Sequence, residues 1–364
     1  MRRRNVSIGI HRATLAAMAL ACLAGGCATP APTGGGLSLI ETRQQTIECL
    51  HRAIEYKPNP VIRAAAIEGF QVSGCADGLP WIRSALLDEH AGARFAACVA
   101  LGMVRDETAR SALGERVEDQ DHSVRVAAMF ALHRLGDTTH TGRMSGYLLK
   151  HEDDRVRRNT AFVLGRFEEE GVIKLLARAM KDKDIGTQNM ALEGMARLGN
   201  PQARQQLVFT ANSGVGSEEV FAIGALSVLK DPRHEEMFRS KTLDDEAPHL
   251  ETRLAAARAL AIAGHDDGYA LALRSLRFNR PSVHDEEDTP EGQILRVRQL
   301  AAAALGAMGK VSALPELVRM MESNGDARLQ VSAATAVLQI YAHAVEDALA
   351  FPPADELRSG GGGR

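Results

Sequence analysis

The feature that most constrains the fold is a phrase that the chain repeats. Val124–Asp137 reads VRVAAMFALHRLGD, and 31 residues earlier Ala93–Asp106 reads ARFAACVALGMVRD, with Arg under Arg, Ala-Ala under Ala-Ala and Ala-Leu under Ala-Leu. With that Arg as a ruler, equivalent segments open at Arg63, Arg94, Arg125, Arg157, Gln188, Glu219, Arg253, Arg298 and Gln330, nine units in all. Six of the intervals are 31 or 32 residues; the two longer ones, 34 and 45, place insertions before Arg253 and before Arg298. A fixed period of this length over most of a chain is the signature of stacked repeats, each burying a face it cannot hide alone.

Within a unit the apolar spacing is helical. Val124, Ala127, Ala128, Ala131, Leu132 and Leu135 fall on one face of an α-helix. Gly136 supplies a C-terminal stop and Asp137 an N-cap for the next helix. A shorter helical stretch then appears, TGRMSGYLLK here, GVIKLLARAM from Gly171 and ALPELVRMME from Ala313. Aromatic residues are only 4% of the chain, so Ala, Leu, Val and Met must form the core, which suits closely packed helices better than a β-sandwich. The reading is an all-α fold, an α/α superhelical solenoid of about nine helix pairs over residues 39–349.

The Val-Arg pair, the Ala-Ala and the Ala-Leu-x-x-Leu-Gly close, clearest at Val124–Gly136, resemble the HEAT repeat family, in particular its short Ala-rich form first noted in phycobilin lyases. That resemblance implies a solenoid with a large binding surface and is nearly silent on function. Armadillo and tetratricopeptide repeats fit less well, the first for its third helix and the second for its period and aromatic signature.

Outside the repeats, MRRRNVSIGIHRATLAAMALACLAGGC carries a basic start (Arg2–Arg4), an apolar run from Ala13 to Ala24 too short to span a bilayer, and small residues leading to Cys27. LAGGC resembles a bacterial lipobox, although Leu23 sits four rather than three residues before the Cys. The resemblance implies a lipoprotein signal at residues 1–26, lipid on Cys27 and a membrane anchor; an ordinary cleaved signal is the alternative. Residues 27–38 read as a flexible tether and 350–364 as a disordered tail. The expected place is the bacterial envelope, with the outer membrane facing the periplasm favoured where there are two, because Ala28 is not the Asp that retains lipoproteins at the inner one.

Residues 1–26 hold four Arg and no acid, which leaves 39 basic against 46 acidic side chains, a net of −7, for the remainder. An acidic body with few aromatics argues against nucleic-acid binding. No P-loop, nucleophile elbow, CxxC pair or HExxH occurs, and no cofactor or metal is expected. His151-Glu152 and His234-Glu235 are too few and wrongly placed for the di-iron His-Glu pairs of deoxyhypusine hydroxylases. The cluster HDEED, His284–Asp288, lacks the spacing of a cation loop and reads as a solvated insertion. Cys98 reads as a core residue, whereas Cys49 and Cys75 could pair in an oxidising compartment.

Two arginine columns stand out. Arg63, Arg94, Arg125, Arg157, Arg253 and Arg298 lie in the first turn of their helices, where the dipole already disfavours a cation, so each needs a partner. Acids just upstream (Glu89, Asp121, Asp154, Glu251) or carbonyls would make this column a structural ladder between units. Nine residues on, the column reads Val72, Met103, Arg134, Arg166, Arg197, Val228, Ile262, Ala307 and Gln339. Arg134, Arg166 and Arg197 could form a basic ridge for a protein partner; dipole complementarity at a helix C-terminus accounts for them without one. Variable residues such as Phe130, His133 and Arg134 are where a partner would be read. The function expected is a membrane-anchored, non-catalytic scaffold that binds another protein; the alternative is an accessory subunit or lyase-like enzyme with a ligand site between repeats.

Overall fold

Short-range chemistry sets the helix boundaries. Asp121, Asp153, Asp184 and Asn200 each accept backbone N–H bonds at the start of a helix, and Asn59 does so ahead of Pro60. Gly136, Gly199, Gly264 and Gly309 end helices with positive φ, the conformation in which a Cβ is strained. Asp137 caps only a turn, through the Thr139 N–H at 3.0 Å, and the next α-helix begins after a 3₁₀ turn at Thr141–Arg143.

The computed structural model of the chain describes residues 38–350, apart from Glu168, Glu170, 246–248, 283–287 and Asn324. The signal, Cys27, the tether and the tail lie outside the described residues, as does most of HDEED. The first helix, α1 (Leu39–Ile54), is followed by eight pairs: α2 (Pro60–Val72) with α3 (Leu79–Ser84), α4 (Ala91–Val104) with α5 (Arg110–Arg116), α6 (His122–Arg134) with α7 (Met144–Lys150), α8 (Asp154–Leu164) with α9 (Val172–Ala179), α10 (Ile185–Arg197) with α11 (Pro201–Thr210), α12 (Gly216–Ser227) with α13 (Glu235–Leu243), α14 (Leu250–Ile262) with α15 (Tyr269–Ser275), and α16 (Pro290–Met308) with α17 (Leu314–Glu322). A long helix, α18 (Ala327–Ala350), comes last. Among the described residues there is no strand, and no helix long and apolar enough to cross a membrane.

The chain is thus the α-solenoid that the repeat predicts, and its ends meet. Each even-numbered helix packs on the next, from α2 to α18, and α18 then packs on both α1 and α2. The helix that α18 lacks after it is supplied by α1, so the ninth pair is made from the two ends of the described chain. One apolar core runs from Ile47 to Ala191 and takes in Val331, Ala333, Ala334 and Leu338 from α18. At the seam the Tyr341 hydroxyl donates to the Leu39 carbonyl at 2.6 Å. Small residues let backbones approach: a Cβ on Gly165 would lie 2.5 Å from Gly194 Cα, one on Gly102 2.7 Å from Ala131 Cα, and one on Gly69 2.4 Å from Thr335 Oγ1. The last of these is the closing contact, made at the same level of the helices as the others.

The even-numbered helices face a central lumen. Phe95 of α4 and Phe162 of α8 lie with ring centroids 6.4 Å apart across the intervening α6. Glu68 of α2 and Arg258 of α14 occupy the same register of their helices, and both are exposed. Nine helices at the usual spacing close a circle of roughly 13 Å radius, which leaves a hollow of roughly 8 Å radius before long side chains are counted.

Candidate functional site in the lumen of the ring

The first arginine column sits at the joints. Arg63 donates Nε and Nη2 to Asp88 at 2.8 Å each and Nη1 to the Lys57 carbonyl at 2.9 Å. Arg94 does the same with Asp119 (2.9 and 2.7 Å) and the Asp88 carbonyl (2.8 Å), and Arg157 with Asp182 (2.7 and 2.9 Å) and the His151 carbonyl (2.8 Å). The carbonyl stands six residues upstream, at the C-terminal end of the preceding antiparallel helix, where carbonyls lack partners and the dipole is negative. The apparent misplacement of the cation is resolved by that neighbour. The carboxylates are not the upstream acids: each lies 25 residues downstream, in the connection leading to the next unit. Asp121 instead caps its own helix. Where the downstream acid is missing, Arg125 and Arg298 keep only a carbonyl, and Arg253 alone takes an upstream acid as well. Arg125 donates to the Asp119 carbonyl at 2.5 Å, Arg298 to the Phe278 carbonyl at 2.8 Å, and Arg253 to the Thr242 carbonyl (3.3 Å) and Asp245 (2.5 Å). Gln188 keeps the carbonyl bond at 2.6 Å, and Glu219 inverts the charge, pairing with Lys241 at 3.0 Å.

The second column becomes a circle. Val72, Met103 and Val228 are exposed, and Arg134, Arg166, Arg197, Ile262, Ala307 and Gln339 half-buried, around one mouth of the lumen. Three successive positions on this rim are basic and the others are uncharged. Arg197 pairs with Glu193 at 2.8 Å, and Arg166 pairs with the same carboxylate at 3.4 Å while stacking 3.5 Å over the Phe162 ring. Burial pulls the Arg166 guanidinium down to about 10. The Phe162 carbonyl accepts from Arg166 at 2.7 Å, so part of this column does satisfy helix-end carbonyls.

Sequence reading missed the position five residues past the ladder position in each inner helix, which faces the lumen. There Glu68, Val99, Phe162, Glu193, Gly224, Arg258, Ala303 and Thr335 are exposed or half-buried. Its signal was Glu, Glu and Arg at one register of an otherwise apolar helix. Phe130 holds this position on α6 but is fully buried, so it packs the ring and is not available to a partner. His133 is half-buried, stacked 4.2 Å from Phe167 and 2.8 Å from Glu169.

The remaining candidates are dispersed. His151 meets His122 through their ring nitrogens, and Glu235 meets His265 at 2.9 Å, so neither His-Glu pair acts as a unit. Among the described residues no three His, Cys, Asp or Glu side chains converge as a metal site requires. Asp288, from the acidic insertion, is held by Arg296. Cys49, Cys75 and Cys98 are free thiols; burial pushes Cys75 up to about 11 and raises Cys49 and Cys98.

The family model for HEAT repeats matches residues 45–133 and 146–218, so repeats of this kind run from α1 to the start of α12. No curated protein matches the chain in sequence. Among solved structures it is similar to the complex of CpcE and CpcF of phycocyanin lyase from Nostoc (18% identity over 68% of this chain and 97% of that one, TM-score 0.40). It is also similar to human deoxyhypusine hydroxylase in complex with glycerol (18%, 84% and 98%, TM-score 0.33) and to Kap121p (14%, 90% and 41%, TM-score 0.32). These are likenesses of helical-repeat fold alone.

Proposed function

We propose that this ring of HEAT-like repeats is a scaffold that binds another protein, non-catalytically, at the rim formed by the second column. The observation that carries the reading is the rim itself, where Arg134, Arg166 and Arg197 follow one another, flanked by exposed Val72 and Met103 on one side and by exposed Val228 on the other. A basic arc next to an apolar arc suits a partner segment that offers both acidic and apolar side chains. A lipid on Cys27 would hold the ring at the envelope membrane through the segment ahead of α1, so docking would take place at the bilayer surface.

Cross-linking in intact cells, followed by purification through the full-length chain, tests this. A stoichiometric protein partner is expected, lost when Arg134, Arg166 and Arg197 are all changed to Glu in a chain that still shows a helical spectrum and a cooperative melt. Repeated absence of any partner, or its retention by the triple variant, contradicts the reading. Cys27→Ser is expected to release the protein into the soluble fraction; retention at the membrane contradicts the anchor.

A further inference from the structure

The arginine–aspartate clamp skips one joint. Asp88, Asp119 and Asp182 each stand six residues ahead of the ladder residue of the unit that they lead into, and each has the same three partners. The carbonyl accepts from that ladder residue, Arg94, Arg125 or Gln188. A carboxylate oxygen accepts the backbone N–H two residues on, at 2.8, 2.9 and 2.9 Å. The carboxylate also takes the guanidinium of the preceding unit, except at Asp182, where that unit's Arg157 fills the same role for Gln188's unit, and at each of the three the fork is two-pronged. His151 holds this place ahead of Arg157. Its carbonyl accepts from Arg157 at 2.8 Å, and its Nδ1 accepts from the Asp153 N–H at 3.1 Å. The third partner differs. Among the described residues Arg125, the guanidinium of the preceding unit, reaches only the Asp119 carbonyl, and His151 Nε2 meets Nδ1 of His122, the first residue of α6.

These bonds fix the protons. Nδ1 of His151 accepts, so its proton sits on Nε2, which donates to His122 Nδ1 and leaves the His122 proton on its own Nε2. Both rings are then neutral. A proton added to His151 Nδ1 would face the Asp153 N–H, and one added to His122 Nδ1 would face the His151 N–H, so either sets donor against donor. The half-buried rings meet edge to face with centroids 4.7 Å apart, and the Tyr147 ring of α7 lies 5.7 Å from His122 and 6.1 Å from His151. Charges surround the pair. Asp121 and Arg125 act on it from the α6 side, and Asp153, itself paired with Arg155, from the start of α8. Exposed Lys150, Glu152 and Asp154 adjoin it in the chain. Burial, with Arg125 and His151, holds His122 below the ordinary histidine value against the pull of Asp121 and Asp153.

We propose that the joint between the third and fourth units is a pH-sensitive joint of the ring, loosening when either imidazole takes a proton while the arginine–aspartate joints on both sides hold. An arginine–aspartate pair keeps its charges down to about pH 4, whereas histidine changes charge near pH 6.5. A base held below its ordinary value stabilises the fold above that value, and the contribution is lost as pH falls through the folded one. Apolar packing and the Asn159 Nδ2 bond to Ser123 Oγ, at 3.0 Å, survive in acid, so the two units loosen without parting.

The test uses the purified full-length chain and needs no partner. Hydrogen–deuterium exchange is followed at about pH 7.5 and about pH 5.5, with rates corrected for the chemical effect of pH. Amides 126–130 of α6 and 158–162 of α8 are expected to lose protection about threefold to tenfold, since an opening that takes up one proton gains at most about tenfold per pH unit. Those of α4 and α10 are expected to hold. His151→Asp offers Arg125 the carboxylate that Arg63, Arg94 and Arg157 have, and is expected to abolish the loss. Nitrogen chemical shifts of the histidines in the wild type give a second reading that needs no variant: both rings are expected as Nε2–H tautomers at about pH 7.5. No loss at this joint, an equal loss at every joint, a loss that persists in His151→Asp, or an Nδ1–H tautomer at His151 overturns the proposal.

Discussion

Arg157 shows how far one residue can be read from sequence. Its recurrence in the first turn was legible, and so was its need for a partner. The identity of that partner was not, because the carbonyl belongs to a helix running the other way and Asp182 lies 25 residues on. Arg157 and Asp182 are both largely shielded, with 5% and 11% of their side chains exposed. Removing one member of such a pair strands the other, which costs about 3–5 kcal/mol. Arg157→Met is therefore expected to lower the melting temperature by far more than Arg125→Met, since Arg125 loses only a carbonyl bond. The Arg157 guanidinium holds Asp182 below the usual carboxylate range. A carboxylate depressed in the folded state stabilises the fold above its unfolded pKa, and that contribution fades as pH falls through the folded one. The gap between wild type and Arg157→Met should thus narrow as pH drops below about 4. Calorimetric melts across that range check both statements; equal losses for the two variants, or a gap that widens in acid, would contradict them.

At the scale of the helix, the period of the apolar residues gave the units and their order, and the caps gave the boundaries to within a few residues. The depth of approach between helices was hidden, because glycine looks the same at a packed and at an open position. Gly194 and Gly224 separate the two cases. A Cβ on Gly194 would stand 2.7 Å from Gly165 Cα and 2.9 Å from Leu176 Cδ1, whereas one on Gly224 meets nothing within 4 Å. Alanine is the better helix former by about 1 kcal/mol. Gly224→Ala should therefore stabilise the protein by about 0.5–1 kcal/mol. Gly194→Ala should destabilise it by about 1–3 kcal/mol, because backbone must move to admit the methyl group. Denaturant midpoints at unchanged slope would measure both; a gain from Gly194→Ala would mean that α8 and α10 are not in backbone contact.

The whole molecule is where sequence said least. A repeat of 31 or 32 residues fixes what each unit is, but not the small rotation from one to the next, and nine such rotations decide between an open superhelix and a ring. Nothing in α1 marks it as the partner of α18, since the two are separated by nearly the whole described chain and their contact is a consequence of accumulated curvature. The lumen was invisible for the same reason: Glu68, Phe162 and Arg258 share no local pattern, and only closure sets their helices around one hollow. Rim, lumen and seam all depend on that closure, and distance across the seam measures it directly. Spin labels on cysteines placed at exposed Gln44 of α1 and His343 of α18, in a chain whose Cys49 and Cys75 are serine, report that distance by double electron–electron resonance. The ring predicts a single short, narrow distance distribution; a long or broad one would show an open superhelix, and neither the lumen nor the rim would then exist.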